Sequence, residues 1–197
     1  MHNPSKVTSP MAQPRRPRLA LPAGSCDSHV HVYGPASRFP FDPHRPYTPE
    51  DAPVEQLDAL HRWLGLERAV YVQATVHGFD NAAILDAIAR NPSQARGIAL
   101  VHTDIGGAAL QSLHAAGVRG VRFNFIKHLG DAPDPQAVLR LAERIGAMGW
   151  HVQLHFGAQD LLDQLPLLHR LQCPFAIDHM GLSLIHISEP TRRRGIS

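Results

Sequence analysis

The sequence predicts an α/β chain: a (β/α)8 TIM barrel of which about six βα units are present, with a doubly wound parallel sheet as the alternative. Three observations predict it. Short apolar runs rich in Val, Ile and Phe are bounded by Gly and Pro, as strands are. Amphipathic stretches separate the later runs, so strand and helix alternate and the strands must run parallel through helical crossovers. No Gly-x-Gly-x-x-Gly follows the first run, which weakens the doubly wound alternative.

The strand candidates lie at 25–33, 68–73, 96–102, 118–124, 150–156 and 174–179. The first helix is predicted to open at Thr48-Pro49-Glu50-Asp51, where a hydroxyl, a first-turn proline and two acids suit the positive helix end. Leu57, Leu60 and Leu64 then share a face. Further helices are predicted near 79–90, 106–116, 135–148 and 158–171. Gly117 and Gly149 sit just past two of them, where a left-handed residue is wanted.

A hydrophobic content of 44% allows one sizeable core, and no run of 18 apolar residues offers a membrane span. Cys26 and Cys173 stand far apart without paired spacing. They point to a reducing, cytoplasmic setting rather than to a disulfide framework or a zinc knuckle. The net charge of +2 is carried by the ends: residues 1–18 hold four Lys/Arg and no acid, while residues 19–182 hold 12 basic and 16 acidic residues. An acidic body excludes nucleic acid as a partner.

Residues 1–18 read as a mobile Pro/Arg-rich leader without a signal peptide's apolar core, and Met11 offers an alternative start. Residues 19–182 read as the barrel domain. The end, SLIHISEPTRRRGIS, resembles translated sequencing-adapter text, so residues 183–197 read as a non-native tail in which His186 and Arg192–Arg194 carry no function.

The chemistry begins in the first strand, CDSHVHVYGP. Side chains alternate along a strand, so His29 and His31 project together while Val30 and Val32 face the helices. Paired imidazoles suit metal ligation or stabilisation of an oxyanion. In the fourth strand Gly120, Arg122 and Asn124 share a face. A buried guanidinium there needs an anion, supplied by the protein or by a substrate carboxylate. In the fifth strand His151, Gln153 and His155 share a face, and the sixth ends in Asp178-His179-Met180-Gly181. An isolated histidine is ordinarily structural. His29, His31, His155 and His179, from strands one, five and six, form a constellation.

That constellation resembles the amidohydrolase superfamily, in particular its lactonase branch and the 2-pyrone-4,6-dicarboxylate lactonases within it. The texts that match are CDSHVHVYGP, RFPFDPHRPYTPEDA, ERAVYVQATVHGFDN, AAGVRGVRFNF, GWHVQLHF and DHMG, from about Gly24 to Gly181. The resemblance implies that His29, His31 and His179 polarise a lactone carbonyl. It also implies that Arg122 grips a substrate carboxylate, with Tyr47 and Thr75 contacting the substrate. His128 falls where a second carboxylate-binding arginine is expected, with Lys127 adjacent, and the water-activating aspartate of strand eight has no counterpart in these residues.

His155 stands where the dicarboxylate lactonases carry tyrosine. The resemblance therefore implies either no cofactor or one zinc-like divalent ion on His29, His31, His155 and His179. It implies a small anionic lactone as the partner and no membrane, and leaves the oligomeric state open. The alternatives are a zinc-dependent amidohydrolase or decarboxylase of the same superfamily, and an inert fragment. The remaining signals have plainer readings. His77 reads as a solvated loop residue, and His61, His114 and His169 as surface or interface residues. Trp63 and Trp150 read as core, and loop 34–49 as a lid or a stiff connection.

Overall fold

The computed structural model describes residues 15, 17–126 and 132–182. Among them, parallel strands alternate with helices: β1 Cys26–Val30, α1 Val54–Leu64, β2 Arg68–Val72, α2 Ala82–Arg90, β3 Ala95–Ala99, α3 Gly107–Ala115, β4 Val118–Asn124, α4 Pro135–Gly146, β5 His151–His155, α5 Leu161–Leu168, β6 Phe175–Ile177 and α6 His179–Leu182. Short 3-10 turns cover Thr75–His77 and Ala158–Asp160. This is the predicted class, an α/β fold with part of a (β/α)8 barrel. None of the described helices is long and apolar enough to cross a membrane.

The chain divides into two compact halves at Gly120/Val121, within β4. In the first half β2 lies parallel between β1 and β3, pairing Ala69 with Ala95 and Val72 with Ile98. β4 begins beside β3, where the Gly97 N–H donates to the Gly117 carbonyl at 3.1 Å. The helix-facing core packs Ala69 and Tyr71 of β2 against Val54 of α1 and Ala83, Ile84, Ala87 and Ile88 of α2. Gly97 allows that close approach, because a Cβ there would come within 2.6 Å of the Ile88 side chain.

In the second half β4, β5 and β6 follow one another. β5 pairs parallel to β6 through Val152↔Phe175 and Leu154↔Ile177. α4 buries Val138, Leu141, Ala142 and Ile145, the i, i+3, i+4, i+7 stripe that covers β5. Its start is set by Asp134, whose carboxylate accepts the Gln136 and Ala137 N–H groups, with Pro135 in the first turn. Trp150 is fully buried.

Several boundaries differ from expectation by about three residues or more, and two of them have a clear physical reason. α1 begins at Val54 and not at Pro49. A helix from Pro49 would carry Pro53 in its second turn, where proline removes a hydrogen bond and clashes with the preceding carbonyl. Pro53 instead becomes the N-cap, and Ala52 forms an antiparallel bridge with Tyr33. β6 spans three residues and not six: the ladder continues to the Asp178 N–H, which donates to the Leu154 carbonyl at 2.9 Å, and then His179 turns the chain at φ 51°. Lys127, His128, His186, Arg192–Arg194, most of the leader and the whole tail lie outside the described residues.

Candidate active site

The aim of the paired histidines is set by a β-bulge. Asp27 pairs with Ala69 and Val30 with Tyr71, so three steps of β1 oppose two of β2. Ala69 and Tyr71 belong to the helix-facing core, so Asp27 and Val30 face that layer too. His29 and His31 alternate with Val30 and Val32 and turn the other way. Their rings lie 5.2 Å apart, edge to face. Strict alternation would put Asp27 beside them, and the bulge sends it to the opposite face.

Asp27 closes this bulge. Its Oδ1 accepts the His29 N–H at 3.4 Å, and its Oδ2 accepts from His61 Nε2 at 3.0 Å. His61 is buried, contrary to its reading as a surface residue. It falls four residues after Leu57 and seven after Val54, on the inward stripe of α1.

His31 Nδ1 lies 2.7 Å from the Val72 carbonyl. A carbonyl only accepts, so Nδ1 carries a proton. The ring also stands 6.0 Å from that of Tyr33. Thr75, half-buried, opens the turn after β2. Tyr47 is 41% exposed in the loop between β1 and α1. His77, in the same turn as Thr75, is buried to 3% and not solvated, because loop 34–49 covers it.

In the second half Arg122 reaches Asp178: Nε donates to Oδ2 at 2.6 Å, with side chains 4% and 2% exposed. The anion that a buried guanidinium requires is thus supplied by the protein, and a substrate-binding role for Arg122 rests on the resemblance. His155 closes β5, buried, with Nδ1 3.0 Å from Asn124 Oδ1. The His155 and His179 rings lie 5.3 Å apart. His179 opens α6 at φ 51°, in the left-handed region, which is unusual for a residue with a Cβ. Sequence reasoning placed Asn124 on the Arg122 face without giving it a partner. It passed over Asp178 as one, although the acid directly precedes a candidate histidine.

The donor set can be tested against the implied metal on these contacts. A ligating histidine ordinarily gives its other N–H to a carbonyl or carboxylate, which fixes the ring and directs the free nitrogen to the ion. His31 and His155 both do so, through Val72 and Asn124. In each half taken by itself the histidine is held as a ligating imidazole is, His31 in the first and His155 in the second.

A strand-one histidine pair, histidines closing strands five and six, and a parallel βα architecture together define a class. The chain belongs to the amidohydrolase family, whose profile matches residues 26–193. It is 48% identical to a 2-pyrone-4,6-dicarboxylate hydrolase of Comamonas testosteroni, over 86% of this chain and 56% of that protein. It is 38% identical to a 4-sulfomuconolactone hydrolase of Rhizobium radiobacter, over 83% and 55%. It resembles the crystal structure of a probable 2-pyrone-4,6-dicarboxylic acid hydrolase from Acinetobacter baumannii with citric acid bound. That likeness has a TM-score of 0.73 and 27% identity, over 80% of this chain and 59% of that one. The chain thus spans little more than half the length of these relatives.

Proposed function

We propose that the whole protein is a lactone hydrolase: a water oxygen adds to the carbonyl carbon of a small carboxylated lactone, and the ring C–O bond breaks to release a hydroxy acid. The observation that carries this is the bulge-aimed pair His29 and His31 in a chain 48% identical to a 2-pyrone-4,6-dicarboxylate hydrolase. The citric acid in the Acinetobacter relative supports a multiply carboxylated substrate.

In this reading His29, His31 and His179 stabilise the developing oxyanion. Arg122, fixed by Asp178, orients a carboxylate, with Tyr47, Thr75 and His128 completing the substrate contacts. The base that takes the water proton is assigned to a residue outside positions 1–197. The 197-residue chain is therefore expected to show no turnover. Two free cysteines agree with a cytoplasmic setting.

The tautomer of His31 favours a second form of the same reading. A neutral ring protonated on Nδ1 cannot donate from Nε2 to an oxyanion. Either the ring is imidazolium when the oxyanion forms, or Nε2 is a metal ligand. His29, His31, His155 and His179 would hold a zinc-like ion, and a bound ion would supply Lewis-acid polarisation of the carbonyl.

The test is hydrolysis of 2-pyrone-4,6-dicarboxylate and 4-sulfomuconolactone by the full-length protein. His29→Asn and His179→Asn should each lower kcat/KM by about 10²–10⁴-fold, and Arg122→Met should raise KM. Failure to open either lactone, or full activity in both histidine variants, removes the proposal. Metal content and the ring-nitrogen NMR shifts of His31 separate its two forms. About one zinc per chain with a shifted Nε2 resonance selects the metal form.

A further inference from the structure

We propose that His77 is a positioning residue: a neutral imidazole latch that holds the loop between β1 and α1, and with it Tyr47, against the turn after β2. The assignment of Tyr47 to the substrate rests on the lactonase reading. The latch itself rests on geometry alone.

The loop is closed at its base by the Tyr33–Ala52 bridge, with N–H···O distances of 3.0 and 2.8 Å. Between those points the chain runs through five prolines, Pro35, Pro40, Pro43, Pro46 and Pro49, with Pro53 just beyond, and forms no strand. It is pinned at its middle by His77. The Pro40 carbonyl accepts from His77 Nδ1 at 3.1 Å, which places the proton on that nitrogen. Nε2 is then a lone pair, and the Gly34 N–H donates to it at 3.4 Å. Only the neutral Nδ1–H ring satisfies both partners, since a second N–H on Nε2 would oppose the Gly34 N–H.

The Phe41 ring packs on the imidazole at 4.9 Å between centroids. One residue away, the Asp42 N–H donates to the Val76 carbonyl at 2.8 Å. Contact is close enough that a Cβ on Gly78, at φ 56°, would come within 2.5 Å of the Asp42 carboxylate.

The turn that receives the loop is itself braced. The fully buried Gln73 donates from Nε2 to the carbonyls of Gly78 (3.1 Å) and Asp80 (2.7 Å). Asn81 donates to the Leu100 carbonyl at 2.8 Å and accepts the Leu100 N–H at 3.1 Å, tying the turn to the chain after β3. A proline-rich segment is thus fastened to a braced turn by the His77 side chain and by the Asp42–Val76 backbone bond beside it. This explains a buried histidine whose contacts are all to backbone or to one ring.

The experiment compares the full-length protein with His77→Phe, which keeps a ring against Phe41 and removes both nitrogens. His77→Asn serves as the conservative variant, since its amide nitrogen replaces Nδ1. In His77→Phe the amides of Gly34 and Asp42 should exchange about ten-fold faster while those of Ile84 and Ile88 keep their rates. On the lactone KM should rise about ten-fold with kcat little changed, and His77→Asn, which keeps the Pro40 bond but not the acceptor for Gly34, should recover most of KM and of the Asp42 protection while Gly34 still exchanges faster.

Unchanged exchange at Gly34 and Asp42 in either folded variant overturns the latch. Equal acceleration in α2 also overturns it, because His77 would then be an ordinary core residue. If His77→Phe does not fold, loop exchange in His77→Asn decides, expected to rise at Gly34 and to stay protected at Arg38 and Phe39. Absence of lactone turnover in the parent protein would remove the lactonase reading and leave the exchange result to judge the latch.

Discussion

Tyr71 illustrates how one side chain couples this core to pH. Its ring lies in the helix-facing core, 4% exposed, and its phenol is pushed up to about 12, first by burial and then by the Asp58 carboxylate. In the unfolded chain the phenol ionises near 10. The neutral form is therefore the one folding favours: the stabilisation is complete below pH 10 and is lost as pH rises through 12. A shift of this size corresponds to about 2–3 kcal/mol. Urea titrations from pH 8 to 12 should show stability falling by about 1.4 kcal/mol per pH unit above pH 10, in excess of any common background, and Tyr71→Phe should remove that excess. Identical pH profiles for the two proteins would show that Tyr71 does not carry the effect. The residue scale is also where the sequence said least. Tyr71 falls within the strand expected at 68–73, but the acid that repels its ionised form is on another element.

At the scale of elements, the bulge in β1 decides which chemistry faces which way. Its register places Asp27 with the core and leaves His29 and His31 together on the other face. Asp27 and His61 hold it from the helix side, with side chains 28% and 10% exposed. A double-mutant cycle with Asp27→Ala and His61→Ala should give a coupling of about 1–3 kcal/mol in the equilibrium unfolding free energy, the range of hydrogen bonds to charged groups. A coupling below about 0.5 kcal/mol would mean that the pair does not secure the bulge. Much of this scale was legible beforehand. The alternation of strand and helix follows from periodicity, and the pairing of His29 with His31 from a spacing of two. The side taken by Asp27 was not legible, because a bulge is a relation between two strands. The start of α1 was legible in principle, since Pro53 forbids the earlier start that Thr48-Pro49 suggests. The burial of His61 was legible too, at positions i+4 and i+7 on an apolar stripe. His77 could not be placed, because its partners, Gly34 and Pro40, belong to a loop without periodicity.

For the molecule as a whole, the consequence lies at the edge of the second half. Among the described residues β6 pairs with β5 alone. Parallel strands are ordinarily covered on both faces and flanked on both sides, and an uncovered one is a template for another chain. β6 has the properties of such a template: Phe175 is 44% exposed and Ala176 is exposed beside it. The relatives are almost twice as long as the part matched here, so chain that this strand could pair with exists in them. The 197-residue chain is therefore expected to associate with rising concentration. Light scattering behind size exclusion should give an apparent mass above the 21.6 kDa monomer in the micromolar range. Phe175→Lys, which adds a charge to the edge and removes its exposed ring, should shift the chain toward monomer without altering its far-ultraviolet circular dichroism. A version extended to the length of the Comamonas relative should behave likewise without that substitution. If the 197-residue chain stays monomeric at 100 µM, roughly the range in which exposed edges ordinarily associate, β6 is already covered and the edge argument fails.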